Sequence, residues 1–233
     1  MKVNIVMLTK NRPRLTDQTL STLYRNTPHH LFNLTIVDDE SDVPIKFHET
    51  NAVLLRIEHS SGITAQARNL GVYFAEKYWG RGDMLYLSDN DVFNTDCWLQ
   101  KMLQAFDYGE PHGLKLLGGW NHPYHQTNES AKLPSGSLVC TNHALAGASQ
   151  LMRWDTWDKY GPLEHGAPGV CQGEDVTFCN KITADGGKVA KLYPHVLLNT
   201  GVTNSHGQPA PGADLMVKEL EIARKSYPEL VWE

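Results

Sequence analysis

Three acidic clusters carry the residue types that could do chemistry: Asp38-Asp39-Glu40-Ser41-Asp42, Ser88-Asp89-Asn90-Asp91 and Gly173-Glu174-Asp175. The first two directly follow short apolar, β-branched runs, and the third opens a run with helical spacing. In an open parallel α/β sheet, ligands bind beyond the carboxyl ends of the strands, which is where such clusters fall. Each alone has an ordinary reading as a polar turn, a helix-approach loop or acid enrichment at a helix start. Together they imply more, because carboxylates converging on one sheet edge repel one another and call for a cation or a donor-rich ligand. Asp89-x-Asp91 fits a divalent site on a diphosphate, since Mg²⁺ and Mn²⁺ take few carboxylates plus substrate phosphate oxygens. Other phosphate-binding signatures are missing. No GxGxxG follows the first apolar run, and Gly187-Lys188 lacks the remainder of a P-loop.

The elements that must position these acids alternate. Val3 to Thr9 reads as a buried strand, Leu15 to Tyr24 as a helix with Leu15, Leu20 and Leu23 inward, and Leu34 to Val37 as a second strand. The pattern repeats with Val53 to Ile57, a helix from about Ile63 to Tyr78, and Met84 to Leu87, which predicts βαβ units and a parallel sheet. In that second helix Ala67, Leu70, Phe74 and Tyr78 form the expected inner face, Arg68 and Asn69 begin a polar one, and Ser60, Ser61 and Thr64 are candidate caps. A third helix, capped by Thr95 or Asp96, turns Leu99, Met102, Leu103 and Phe106 inward and ends near Gly109 and Pro111. Beyond Gly113 the chain is more loop-built, with strands expected at Leu114 to Leu117, Ser137 to Thr141, Ser149 to Trp154 and Lys188 to Leu192. Helices are expected at Glu174 to Ala184, with Val176, Cys179 and Ile182 inward, and at Asp214 to Lys225.

Size and charge bound the answer. The 233 residues, 41% of them hydrophobic, suffice for a continuous core and exclude a disordered tail or a disulfide-stapled mini-protein. With 21 basic and 26 acidic residues, the net charge of −5 gives no basic field for strong non-specific nucleic-acid or membrane binding. Cys97, Cys140, Cys171 and Cys179 have no zinc spacing and read as reduced thiols. Val3 to Leu8 is too short for a signal-peptide core, and no run approaches the roughly 20 apolar residues of a membrane span. The expectation is a cytoplasmic protein with no integral membrane segment.

At the level of motifs the chain resembles a GT-A fold glycosyltransferase, closest to glycosyltransferase family 2. The resemblance rests on Val3 to Arg12, Ile36-Val37-Asp38-Asp39-Glu40-Ser41, Ala67-Arg68-Asn69-Leu70-Gly71 and Leu87-Ser88-Asp89-Asn90-Asp91, in that order and spacing. In the second half it rests on Gly147 to Trp154, Gly161 to Leu163 and Gly173-Glu174-Asp175. It implies an α/β fold with a mostly parallel mixed sheet flanked by helices. Residues 1–110 would form the nucleotide-sugar half and 111–233 the acceptor half of one domain. Thr9 and Asn11 would line the nucleotide pocket, Asp39 or Asp38 would receive the base or ribose, and Arg68 would stand near the nucleotide. Asp91 would ligate Mn²⁺ or Mg²⁺, Asp89 would contact ribose or metal, and His206 would complete the metal site. Asn90, between the two acids, is grouped with the nucleotide-sugar residues, as is Arg12, whose charge suits phosphate. Two positions depart from the family pattern: Glu40 replaces the usual glycine, and Val92 replaces an acid that often follows the triplet.

The implied activity is sugar transfer from a nucleotide sugar, a UDP-sugar by preference, to an acceptor hydroxyl with inversion. Such a reaction needs a base for the hydroxyl and a neutralised diphosphate leaving group. Asp175 is the candidate base, kept ionised by the helix dipole, with Glu174 holding acceptor hydroxyls. Trp120, His122 and Tyr124, in an expected loop, offer aromatic faces and donors for an acceptor sugar. Acceptors compatible with the sequence are a glycan, a lipid-linked saccharide, a protein or a modified nucleic-acid base. The rival enzyme is a sugar-phosphate nucleotidyltransferase, which calls for a glycine-rich basic loop that Thr9-Lys10-Asn11-Arg12-Pro13 does not supply. The rival from another class is a catalytically idle nucleotide-sugar or carbohydrate-binding module. A retaining transferase on the same fold is distinguished by the anomer of its product.

Overall fold

The computed structural model describes residues 1–120, 127–133, 136–141, 144–165, 173–201 and 213–230. Its first half alternates β1 (Val3–Thr9), α1 (Pro13–Asn26), β2 (Phe32–Asp39), β3 (Ala52–Ile57), α2 (Thr64–Trp79) and β4 (Met84–Asp89). A short β5 (Val92–Asn94) and α3 (Trp98–Gly109) follow, then β6 (Leu114–Gly118), β7 (Thr127–Leu133), β8 (Gly136–Thr141) and β9 (Ser149–Met152). The chain continues through α4 (Trp154–Tyr160), α5 (Glu174–Ala184), β10 (Lys188–Tyr193), β11 (Leu197–Asn199) and α6 (Ala213–Ser226).

One nine-stranded sheet in the order β3-β2-β1-β4-β9-β6-β10-β8-β7 runs through both halves, and β5 and β11 form a separate two-stranded ribbon. Strands β1, β2, β3 and β4 are mutually parallel, while β9 runs antiparallel to both β4 and β6. The chain leaves β1 toward β2 and β3, then returns to lay β4 on the other side of β1. The order of connection therefore reverses between β1 and β4, and crevices at such reversals hold ligands in open α/β sheets. Leu8 of β1 pairs with Asp89 of β4, so the Asp-x-Asp triplet emerges at that crevice.

Helices cover both faces of the sheet. Alternation along β1 sends Val3, Ile5 and Met7 to one side, where α1 and α3 contribute Leu20, Leu23, Leu99, Met102 and Phe106. Val6 faces the other side, with Ala67, Val72 and Ala75 of α2 and Phe178, Cys179 and Ile182 of α5. The aliphatic burial on each face is the main force holding the layers together.

The α2 face differs from the expected one. Its buried residues are Ala65, Ala67, Arg68, Gly71, Val72 and Ala75, whereas Leu70 and Tyr78 are exposed. The reason is close approach: a Cβ at Gly71 would lie 2.5 Å from Val37 Cγ2 and 2.7 Å from Val6 Cγ1. Only small side chains fit between this helix and the sheet, and Arg68 is carried inward with them. Ser60 and Ser61 do not cap the helix, whose N-cap residue is Ile63; their hydroxyls accept from Gly62 N and Ile63 N in the preceding turn. Cys97, in a left-handed conformation, stands at the N-cap of α3, displacing the expected Thr95 or Asp96. Trp154 opens α4 instead of ending β9, and β5, β7 and β11 lie where no strand is read from the sequence. Cys97 and Cys179 are free thiols, and burial pushes the Cys179 thiol up to about 12. Among the described residues, no helix is long and apolar enough to cross a membrane.

Candidate active site

The end of β1 and the start of α1 are tied to the triplet by a buried hydroxyl-amide network. Asn90 Nδ2 donates to Thr9 Oγ1 and to Thr16 Oγ1, each at 2.9 Å, and the two hydroxyls are 2.8 Å apart. Thr19 Oγ1 donates to the Asn90 carbonyl at 2.8 Å. Thr9 and Asn90 are 1% and 5% exposed, with their side chains hydrogen-bonded to each other inside the fold. Their effect is to clamp Asp89 and Asp91 in place at the crevice, since the flanking amide has no freedom to rotate.

The two triplet acids meet two arginines. Arg12 Nη1 donates to Asp91 Oδ2, and Arg68 Nη2 donates to Asp89 Oδ1. Asp91 is buried, and desolvation, reinforced by the charge of Asp89, raises its pKa above the ordinary carboxylate value against the pull of Arg12. Its backbone oxygen accepts from Thr200 N at 2.9 Å and Thr200 Oγ1 at 3.2 Å. A Cβ at Gly201 would overlap Asp91 Oδ2, so the chain just after β11 passes directly over this carboxylate.

Arg68 is 4% exposed and joins the two halves of the site. Its Nη1 donates to the Gly147 carbonyl at 2.6 Å, and the Gly147 amide in turn donates to Asp175 Oδ2 at 3.1 Å. Burial disfavours the charged guanidinium, but Asp89, Glu174, Asp175 and Asp91 outweigh it and hold the pKa of Arg68 above its usual value. A Cβ at Gly147 would come within 3.0 Å of Arg68 Nη2, so a larger residue would push against this hub. The run Ala144 to Ala148, almost all small residues, is the sequence signal for such a close backbone approach. The role of Gly147 was nonetheless not legible without the pairing.

At the start of α5 the two acids differ. Asp175 is half-buried, and its Oδ1 accepts from Val176 N at 2.7 Å, so both oxygens are oriented by backbone amides. Glu174 is 7% exposed. Desolvation raises its pKa, with Arg68 opposing and Asp175 adding to the rise.

The first acidic cluster resolves into separate roles. Asp38 is fully buried and accepts from Ser41 N at 3.0 Å, Ile45 N at 3.4 Å and Arg56 Nη1 at 2.8 Å. It organises the loop after β2, while Asp39 lies 3.8 Å from Lys10 Nζ. Asn11 is exposed at φ 52° and bridges the loops: its amide donates to Ser41 Oγ at 2.9 Å and its Oδ1 accepts from Asp42 N at 2.7 Å. Glu40 has φ 59°, a left-handed conformation that favours glycine and accounts for the family pattern at this position.

Trp120 is 3% exposed in the core and donates from Nε1 to Glu219 Oε2 at 2.8 Å. His122, Tyr124 and His206 lie outside the described residues.

A divalent cation fits the donor set at the triplet. Among the described residues, Asp91 Oδ1 is buried and accepts no hydrogen bond, and Arg12 Nε and Arg68 Nε are buried donors without a partner. An orphaned carboxylate oxygen matches a hard cation, and orphaned guanidinium donors match phosphate oxygens. No group of three or more His, Cys, Asp or Glu side chains able to hold a metal occurs among the described residues. Among the described residues, the carboxylates at the triplet are Asp89 and Asp91.

No protein-family model matches the chain, and no curated protein matches it in sequence. Solved structures do match. GalNAc-T7 with UDP, GalNAc and Mn²⁺ aligns at TM-score 0.61 and 15% identity over 82% of this chain, which spans 42% of that one. TarS residues 1–349 of S. aureus with UDP-GlcNAc aligns at 0.58 and 15% identity over 100% of this chain and 68% of that one. The mannosyltransferase PcManGT of Pyrobaculum calidifontis with GDP-Man and Mn²⁺ aligns at 0.55 and 12% identity over 100% and 76%. At these identities the likeness is one of fold. The chain has the α/β architecture of the GT-A glycosyltransferases.

Proposed function

We propose that this chain is a metal-dependent glycosyltransferase that moves a sugar from a nucleotide sugar, a UDP-sugar by preference, to an acceptor hydroxyl with inversion. The observation that carries the reading is the chain of contacts Asp89–Arg68–Gly147–Asp175, which sets the triplet and the candidate base on one edge of a GT-A sheet.

In this reading Asp39 and Asn11 receive the nucleoside, and Asp91 and Asp89 hold Mn²⁺ or Mg²⁺ with His206 as a further ligand. The cation supplies Lewis-acid neutralisation of the departing diphosphate. Asp175, aimed by the Gly147 and Val176 amides, takes the proton of the attacking hydroxyl as the bond to the anomeric carbon forms. Glu174 and Arg68 interact electrostatically with that carboxylate. The acceptor remains a glycan, lipid-linked saccharide, protein or modified base, each presenting a hydroxyl or its equivalent.

The test is thermal stabilisation by UDP, GDP, CMP and NAD, each with and without Mn²⁺, since a ligand of the folded state raises the melting point according to its affinity. A shift by one nucleoside diphosphate that requires Mn²⁺ supports the reading and names the donor class. The absence of any shift in folded protein overturns it.

A further inference from the structure

Arg12 and the implied cation need the same carboxylate. The guanidinium sits on Asp91 Oδ2 with side-chain exposures of 15% and 10%, so the pair is largely shielded from water. Among the described residues it is also incompletely made: one bond joins the two groups, while Arg12 Nε and Asp91 Oδ1 are both buried without a partner. A bidentate pairing would use both atoms, so this contact leaves each side one unmet demand. Arg12 lies in the link between β1 and α1, beside the exposed Asn11 and against the triplet acid Asp91.

We propose that Arg12 occupies the cation seat of Asp91 until a nucleoside diphosphate draws it away, so that metal and nucleotide bind interdependently. The inference rests on the functional reading above and adds an order to it. Without nucleotide, the guanidinium neutralises Asp91 and competes with a divalent ion. With nucleotide, the phosphate oxygens offer Arg12 both the charge and the second acceptor that Asp91 does not give. Asp91 is thereby freed for the cation, and Arg12 contributes a second positive charge to the leaving group.

The test is Mn²⁺ affinity by electron paramagnetic resonance, measured with Mn²⁺ alone and with saturating UDP or GDP, in the wild type, Arg12→Gln, Arg12→Lys and Asp91→Asn. In the wild type, nucleotide should tighten Mn²⁺ binding by about tenfold or more, the scale at which neighbours of metal ligands act. Arg12→Gln should bind Mn²⁺ alone about tenfold more tightly than wild type and lose most of the nucleotide effect. Arg12→Lys retains the charge and should resemble wild type without nucleotide, which keeps the test informative if the Gln variant folds poorly. Unchanged or weaker binding of Mn²⁺ alone in a folded Arg12→Gln variant, or tighter binding in Arg12→Lys, overturns the inference while leaving the functional reading intact. Full Mn²⁺ and nucleotide binding by Asp91→Asn overturns the metal site itself.

Discussion

Replacing Arg68 with Met should separate a structural hub from a nucleotide contact. The guanidinium is 4% exposed and makes a bond of 2.6 Å to the Gly147 carbonyl as well as its pair with Asp89. Met matches the length and apolar character of the arginine stem, so the variant removes charge and hydrogen bonds with little cavity. Breaking a buried ion pair from one side costs about 3–5 kcal/mol. The Asp89 side chain is 33% exposed and can recover some hydration, which points to the lower end, about 3 kcal/mol. For a chain of this size, with a urea slope near 3 kcal/mol/M, the midpoint should fall by about 1 M with the slope unchanged. Asp89→Asn alone should cost less, and the double variant should show coupling of about 1 kcal/mol or more. Chemical denaturation followed by circular dichroism measures all four states of the cycle. A midpoint shift below about 0.3 M for Arg68→Met, or additive effects in the cycle, would refute the hub.

Three further outcomes follow from single positions. Glu174→Gln should raise the melting point at pH 7, because burial and Asp175 raise the folded-state pKa of Glu174. A raised folded pKa means stability is fully present below the unfolded value and lost as pH rises through the folded one, so the Gln advantage should fade as pH falls toward about 4; an advantage that grows on acidification would contradict this. Glu40→Gly should stabilise by about 0.5–1 kcal/mol, since the left-handed backbone penalty of 1–2 kcal/mol exceeds the added chain entropy, and calorimetry showing a loss above about 1 kcal/mol would count against it. Gly71→Ala should destabilise by about 1–2 kcal/mol, as the clash with Val6 and Val37 outweighs the gain of about 1 kcal/mol in helix propensity, and a higher melting point would show that α2 can move away.

The first half of the fold was legible because its strands are apolar runs and its acids follow them directly. Glu174 to Ala184 was placed to the residue for a similar reason, with acids at the start and Gly186-Gly187 beyond the end. The inner face of α2 was misread because hydrophobic spacing selects the bulky residues, whereas packing at Gly71 distance selects the small ones. Arg68 went inward for that reason, and no periodicity announces a buried arginine whose partners come from β4 and the loop before β9. Thr9, Asn90 and Asp38 look like ligand-binding residues in sequence, since polar groups after strands usually face the crevice. Here they satisfy one another or the loop backbone, and only their hydrogen-bond partners reveal it. Trp120 lies in a bend after β6, as its neighbours suggest, but nothing in the sequence pairs its Nε1–H with Glu219, a residue 99 positions away.

Under the proposed function, Asp91 serves the donor and Asp175 the acceptor. The most direct test is calorimetric titration of UDP-sugar with Mn²⁺ into Asp91→Ala and Asp175→Asn, alongside release of UDP by transfer or donor hydrolysis. Asp91→Ala should lose donor affinity, whereas Asp175→Asn should retain it and lose turnover; equal loss of donor binding in the two variants would contradict the account.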